Sequence, residues 1–119
     1  TEENHIMENV IYNELRIRGC AVDVGIVETK ETRDGKRQTK QLEIDFVANK
    51  GNKKYYIQSA YAMPTEEKVQ QEKRSLTKIN DSFKKLVVVK DNIRPQIDES
   101  GIVTIGLINF LLDENSLDL

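Results

Sequence analysis

With 119 residues, 38% hydrophobic and 32% charged, the chain has the composition of a single domain that can bury a modest core without cross-links. A net charge of −2 argues against a strongly cationic nucleic-acid binder. No apolar run is long enough to cross a bilayer, and no basic-then-apolar start reads as a signal peptide, so a cytoplasmic protein without a membrane partner is expected. The lone Cys20, in an apolar stretch, excludes an internal disulfide and reads as a buried thiol. His5 has no second histidine or cysteine at ligand spacing, which excludes a transition-metal site of the usual kind. Thr1 stands where an initiator methionine would, as in a fragment of a longer chain.

The spacing of Ile6, Met7, Val10, Ile11 and Leu15 predicts a helix over 5–18, stopped by Gly19. Strands are predicted over 21–30 and 38–49 with Asp34-Gly35 as the hairpin turn; along the second, Leu42, Ile44 and Phe46 alternate with Glu43, Asp45 and Val47. Gly51-Asn52 marks another tight turn before a strand over 53–61. Pro64 opens a helical pattern to about residue 80, with Val69, Leu76 and Ile79 on one face. The unbroken apolar run 86–89 predicts a strand covered on both faces and reached through that crossover helix. Residues 102–105 are expected as an edge strand and 107–112 as a short terminal helix. The order implies an α/β domain whose mixed sheet is flanked by helices on both faces.

If Lys50 pairs with Lys53 across Gly51-Asn52, counting along the ladder sets Asp45 opposite Gln58 and Glu43 opposite Ala60, all four on one face. The same count from Asp34-Gly35 sets Val24 across from Asp45, leaving a carboxylate among apolar neighbours that must be compensated. On the first helix Glu8 leans toward the core, and on the second Glu72 falls between Val69, Leu76 and Ile79, where it must be paired or unburied. Two readings stand: Glu8, Asp45 and Glu43 as oxygen ligands of a cation such as Mg²⁺ that activates water, or a structural polar network.

Several motifs carry a family resemblance: His5-x-x-Glu8-Asn9-x-Ile11-Tyr12-x-Glu14-Leu15-x-x-Arg18-Gly19, Glu43-Ile44-Asp45-Phe46-Val47, Tyr56-Ile57-Gln58-Ser59-Ala60-Tyr61, residues 72–81 and residues 101–112. Together, over nearly the whole chain, they resemble the C-terminal domain of unknown function of a prokaryotic family of AAA+ type ATPases. That domain in turn resembles the PD-(D/E)xK, or restriction-endonuclease-like, fold, with an αβββαβ core. The resemblance implies a metal site in which Glu8 takes the helix position and Asp45 the strand position, while Gln58 stands for an acid and Ala60 for the lysine. Gln58 offers a cation only a neutral oxygen, and Ala60 offers no ammonium. Lys73 and Lys54 are conceivable migrated replacements.

The expectation is therefore a degenerate, non-catalytic accessory domain engaging nucleic acid or protein, with ATP used only by the rest of the ATPase chain, since no Walker-type loop is present. A residual metal-dependent nuclease holding Mg²⁺ on Glu8, Asp45 and Gln58 is the alternative, and a plain assembly domain a third reading. The basic segment 30–40, with Arg33, Lys36 and Arg37, suits a phosphate backbone, but interleaved Glu31 and Asp34 also suit a solvated turn. Tyr55, Tyr56 and Tyr61 read as packing residues rather than as a base-stacking platform.

Overall fold

A computed structural model describes residues 2–119; Thr1, which raised the expectation of an excised fragment, lies outside them. Helix α1 covers Glu2–Ile17 and buries Met7, Ile11 and Leu15, with Ile6 left exposed. Strands β1 (Ala21–Arg33) and β2 (Lys36–Lys50) are longer than their apolar patterns indicated. From Gly25 opposite Ile44 they pair without interruption to Arg33 opposite Lys36, because Asp34 and Gly35 both take positive φ, 52° and 75°, and close a two-residue turn matching the strand twist. Beyond the core the hairpin continues as a two-stranded ribbon.

Strand β3 (Lys53–Ala60) pairs with β2 from Lys50–Lys53 onward, in the expected register. Helix α2 spans Glu66–Thr77, starting after Pro64 because Thr65 is the cap: its hydroxyl accepts from the Lys68 N–H at 3.2 Å. Strand β4 (Lys84–Val89) lies parallel between β3 and β6 (Val103–Gly106). Leu86 and Val88 face one core while Val87 and Val89 face the other, which explains the unbroken apolar run.

The last strand of the apolar pattern is not an edge. The two-residue β5 (Gln96–Ile97), too short to leave a periodic signal, covers it, and the sheet order is β1-β2-β3-β4-β6-β5. β6 is buried throughout, and Gly106 at its end is tight: a Cβ there would come within 2.5 Å of the Asp91 carbonyl oxygen. The chain is thus a mixed α/β domain with helices on both faces. α1 and α3 (Leu107–Leu112) cover one face around Phe110 and Leu15, and α2 covers the other around Leu76. Arg18 ties α1 to the chain end, bonding Glu14, Ser116 Oγ at 2.9 Å and the carbonyls of Phe110 and Asp113, with its guanidinium 4.7 Å from the Phe110 ring centre. No helix among the described residues is long and apolar enough to cross a membrane.

Candidate functional site

A bulge in β2 creates the site. Asp23 pairs with Val47 and Gly25 with Ile44, so Val24 faces two residues, Asp45 and Phe46, instead of Asp45 alone. The extra residue reverses the alternation: Phe46 enters the α1-side core and Ile44 the α2-side core, although they are two apart. This corrects the expectation that Glu43, Asp45, Gln58 and Ala60 share a face. Gln58 and Ala60 turn toward α2, bonding Ser75 and packing with Leu76, while Glu43 is exposed. Gly25 is required at the bulge, since a Cβ would come 2.6 Å from Val47 Cγ2 and 3.1 Å from Ile44 Cβ.

The β2–β3 ladder stops at Phe46 opposite Ile57, one pair before Asp45 and Gln58. There the side chains take over from the backbone. Gln58 Oε1 accepts from the Asp45 N–H at 2.7 Å, and the Ser59 N–H donates to Asp45 Oδ2 at 2.8 Å. The Gln58 amide nitrogen donates to Ser75 Oγ at 3.0 Å and, more weakly, to the Glu43 carbonyl at 3.4 Å. A buried amide with both ends bonded is a stable arrangement. The register reading therefore placed Asp45 and Gln58 together, but they meet through backbone groups and not carboxylate to amide.

Where the strands part lies a cleft of about 510 Å³ lined by α1 (Glu3, Asn4, Glu8), by Asp45 and Gln58, and by α2 (Lys68, Glu72). Burial pushes the Asp45 carboxyl up from 3.8 to about 6; the Ser59 N–H opposes this, and the charges of Glu8, Glu72 and Glu43 reinforce it. Glu72 is paired, as its place on the helix required: Lys68 Nζ sits 2.8 Å from its Oε1. Lys68 is the cleft residue that the apolar periodicity did not reveal, although its spacing of four from Glu72 was a usable signal. Neither lysine considered from the sequence reaches the cleft: Lys73 bonds Asp98 at 2.9 Å, and Lys54 lies over the Phe83 ring.

Glu8, Asp45 and Glu72 are donors of the type a hard divalent cation takes, and their mutual repulsion favours one. Gln58 Oε1, by contrast, is already held by a backbone N–H. Among the described residues no three His, Cys, Asp or Glu side chains converge to hold an ion, so the acids share a field rather than a coordination geometry.

The other residues of note are absorbed by packing. Burial raises the Cys20 thiol pKa against the opposing charges of Lys50 and Arg18, so the thiol stays protonated. Tyr55 and Tyr56 donate to Asp118 at 2.7 Å and Asp81 at 2.6 Å; burial and these carboxylates push both hydroxyls up to about 12. The Tyr61 ring lies under Lys90.

Against known proteins, the chain is similar to an uncharacterized protein of Haemophilus influenzae (strain ATCC 51907 / DSM 11121 / KW20 / Rd), 31% identical over 106 residues. The match takes in 89% of this chain and 22% of that protein, so the chain spans about a fifth of its relative's length. No family model matches, and no solved structure matches.

Proposed function

We propose that this domain is a non-catalytic, nuclease-like accessory module of a AAA+ type ATPase, engaging nucleic acid while the remainder of such a protein hydrolyses ATP. The observation that carries the non-catalytic part is the use made of Gln58. Where a nuclease of the resembled fold needs a free charged oxygen, this amide is consumed in closing the gap between β2 and β3. Ala60, at the lysine position, is buried in the cluster that holds Leu76 and brings no charged group to the cleft it lines. The match to about a fifth of a longer protein is in keeping with a module. Incubation with plasmid DNA and with RNA in Mn²⁺ or Mg²⁺ is expected to leave both intact under conditions where a mobility shift shows binding. Metal-dependent cleavage that disappears in Asp45→Asn would overturn the reading.

One observation favours residual metal-dependent nuclease activity as the second reading. Lys68 and Glu72 bring an ammonium and a carboxylate from α2 into the same cleft as Glu8 and Asp45, so the lost lysine has a substitute on another element. A divalent ion would have to draw Glu8, Asp45 and Glu72 closer together than they stand, and would then supply an activated water and charge neutralisation at a phosphodiester. Lys68 would orient the phosphate, and a cation would offset the repulsion that Glu8, Glu72 and Glu43 exert on the Asp45 carboxylate. Cleavage lost in both Asp45→Asn and Lys68→Met supports this reading; cleavage unaffected by Lys68→Met removes it.

A further inference from the structure

Beyond Val27 and Thr29, which still pack on the α2 side, the distal halves of β1 and β2 run out as a largely exposed ribbon, and its charge pattern is unfavourable for a free hairpin. From the pair Val27–Leu42 to the tip, six further cross-strand pairs extend for roughly 20 Å at the usual strand rise. Residues 36–41 of β2 are exposed throughout and carry no acid. Lys30, Arg33, Lys36, Arg37 and Lys40 are set against Glu28, Glu31 and Asp34, so the ribbon is net positive on a chain whose net charge is −2.

Directly paired residues project to the same side, which sorts these charges. On the α2 side, in line with buried Thr29, lie Lys40, then Glu31 with Gln38, then Arg33 with Lys36. The only acid of that face, Glu31, is bound by Arg74 of α2, which brings a further cation to the surface. At the tip Arg33 stands directly opposite Lys36, a like-charge pair at the closing position of a tight turn. Such a pair opposes the hairpin it closes. Among the described residues no ion pair involves Arg33 or Lys36, and Asp34 in the turn is the one acid between them; a polyanion lying along this face would offset their repulsion.

We infer that the ribbon is a DNA-contacting arm that enters the major groove of a B-form duplex, with Arg33, Lys36 and Lys40 set against the phosphates. Shape selects the duplex. The major groove of B-DNA is about 12 Å wide and admits a two-stranded ribbon, whereas the groove of A-form RNA is too narrow for one. Gln38, between Lys36 and Lys40 on the same face, is placed to meet base edges. This inference rests on the nucleic-acid reading proposed above, and it locates the contact on the arm, away from the Asp45 cleft.

Fluorescence anisotropy with a labelled mixed-sequence duplex of about 20 base pairs tests it in 50 and 200 mM salt, the range over which phosphate contacts lose most of their strength. The Arg33→Ser, Lys36→Ser, Lys40→Ser triple variant should bind at least about tenfold more weakly at the lower salt. Its slope of log K against log salt should be shallower by about 2 to 3, near 0.9 for each phosphate released. An Arg16→Ser, Lys50→Ser, Lys53→Ser variant removes equal charge from other exposed positions and should stay within about threefold of wild type. Circular dichroism confirms that both are folded. Equal losses in the two variants, or duplex RNA bound as tightly as DNA, overturn the arm assignment. Wild-type binding that the ribbon triple variant leaves untouched overturns the arm and spares the nucleic-acid reading. No binding of any nucleic acid by the wild type overturns both.

Discussion

Asp45→Asn should make the protein more stable, and only above the pH at which Asp45 ionises. The carboxyl titrates at about 6 in the folded protein against an ordinary 3.8, chiefly because burial penalises its charge, with Glu8, Glu72 and Glu43 adding repulsion. A carboxyl whose folded value lies above its unfolded value binds more protons in the native state between the two. Stability therefore falls as pH rises through that window and stays low above about 6. The gap converts to an upper value of ~3 kcal/mol. Because the cleft is open to water, screening reduces this to about 1–2 kcal/mol. Asparagine keeps an oxygen that can accept from the Ser59 N–H and carries no charge. Urea unfolding in EDTA should therefore show Asp45→Asn more stable by about 1–2 kcal/mol at pH 7.5, a midpoint increase of roughly 0.5–1 M. The advantage should vanish near pH 4, where the native carboxyl is itself protonated. A variant equally stable at both pH values, or weaker at pH 7.5, would refute the claim that this carboxylate is held against the fold's interest.

Three further substitutions probe the supports of the site and the frame. Gln58→Ala leaves the Asp45 N–H and Ser75 Oγ without their partner and should cost about 1–3 kcal/mol in urea unfolding, at pH 4 as well as at pH 7.5, which separates it from the Asp45 effect. Arg18→Ala removes the clamp on the carbonyls of Phe110 and Asp113 and should cost about 2–4 kcal/mol; Arg18→Lys should recover less than half, since an ammonium cannot span that fan of acceptors. Gly106→Ala drives a methyl into the Asp91 carbonyl and should lower stability by about 1–3 kcal/mol, read as a fall in thermal midpoint, whereas an unchanged midpoint would mean that the loop at Asp91 yields freely.

Most of the frame was legible because its signals are local. Periodicity placed α1 and β4, and the turn pairs Asp34-Gly35 and Gly51-Asn52 set both hairpin registers. The edge was misjudged because the sheet order depends on β5, whose two residues have no period to read. The length of the ribbon was also hidden. Residues 31–33 and 36–37, outside the expected strands, are polar and exposed or half-exposed, so nothing in their hydrophobicity marks them as strand, and the turn chemistry at Asp34-Gly35 carries the ladder to its tip.

The site was legible in position and illegible in orientation, for one reason. Counting from Gly51-Asn52 finds Asp45 across from Gln58 because no irregularity interrupts β2 and β3 between them. Counting from Asp34-Gly35 fails at the last step, because the bulge opposite Val24 inserts a residue whose one mark in the sequence is Gly25, an isolated glycine inside a strand pattern. That residue turns Ile44 to one core and Phe46 to the other, and the ladder ends beside it. The bulge thus explains the disposition of the cleft: without it Asp45 would follow strict alternation, and the Asp45 N–H would have no gap for the Gln58 side chain to fill. Removing one residue from β2 at this point, rather than changing a side chain, is the perturbation under which the Asp45 cleft and the α2-side packing of Ile44 should be lost together.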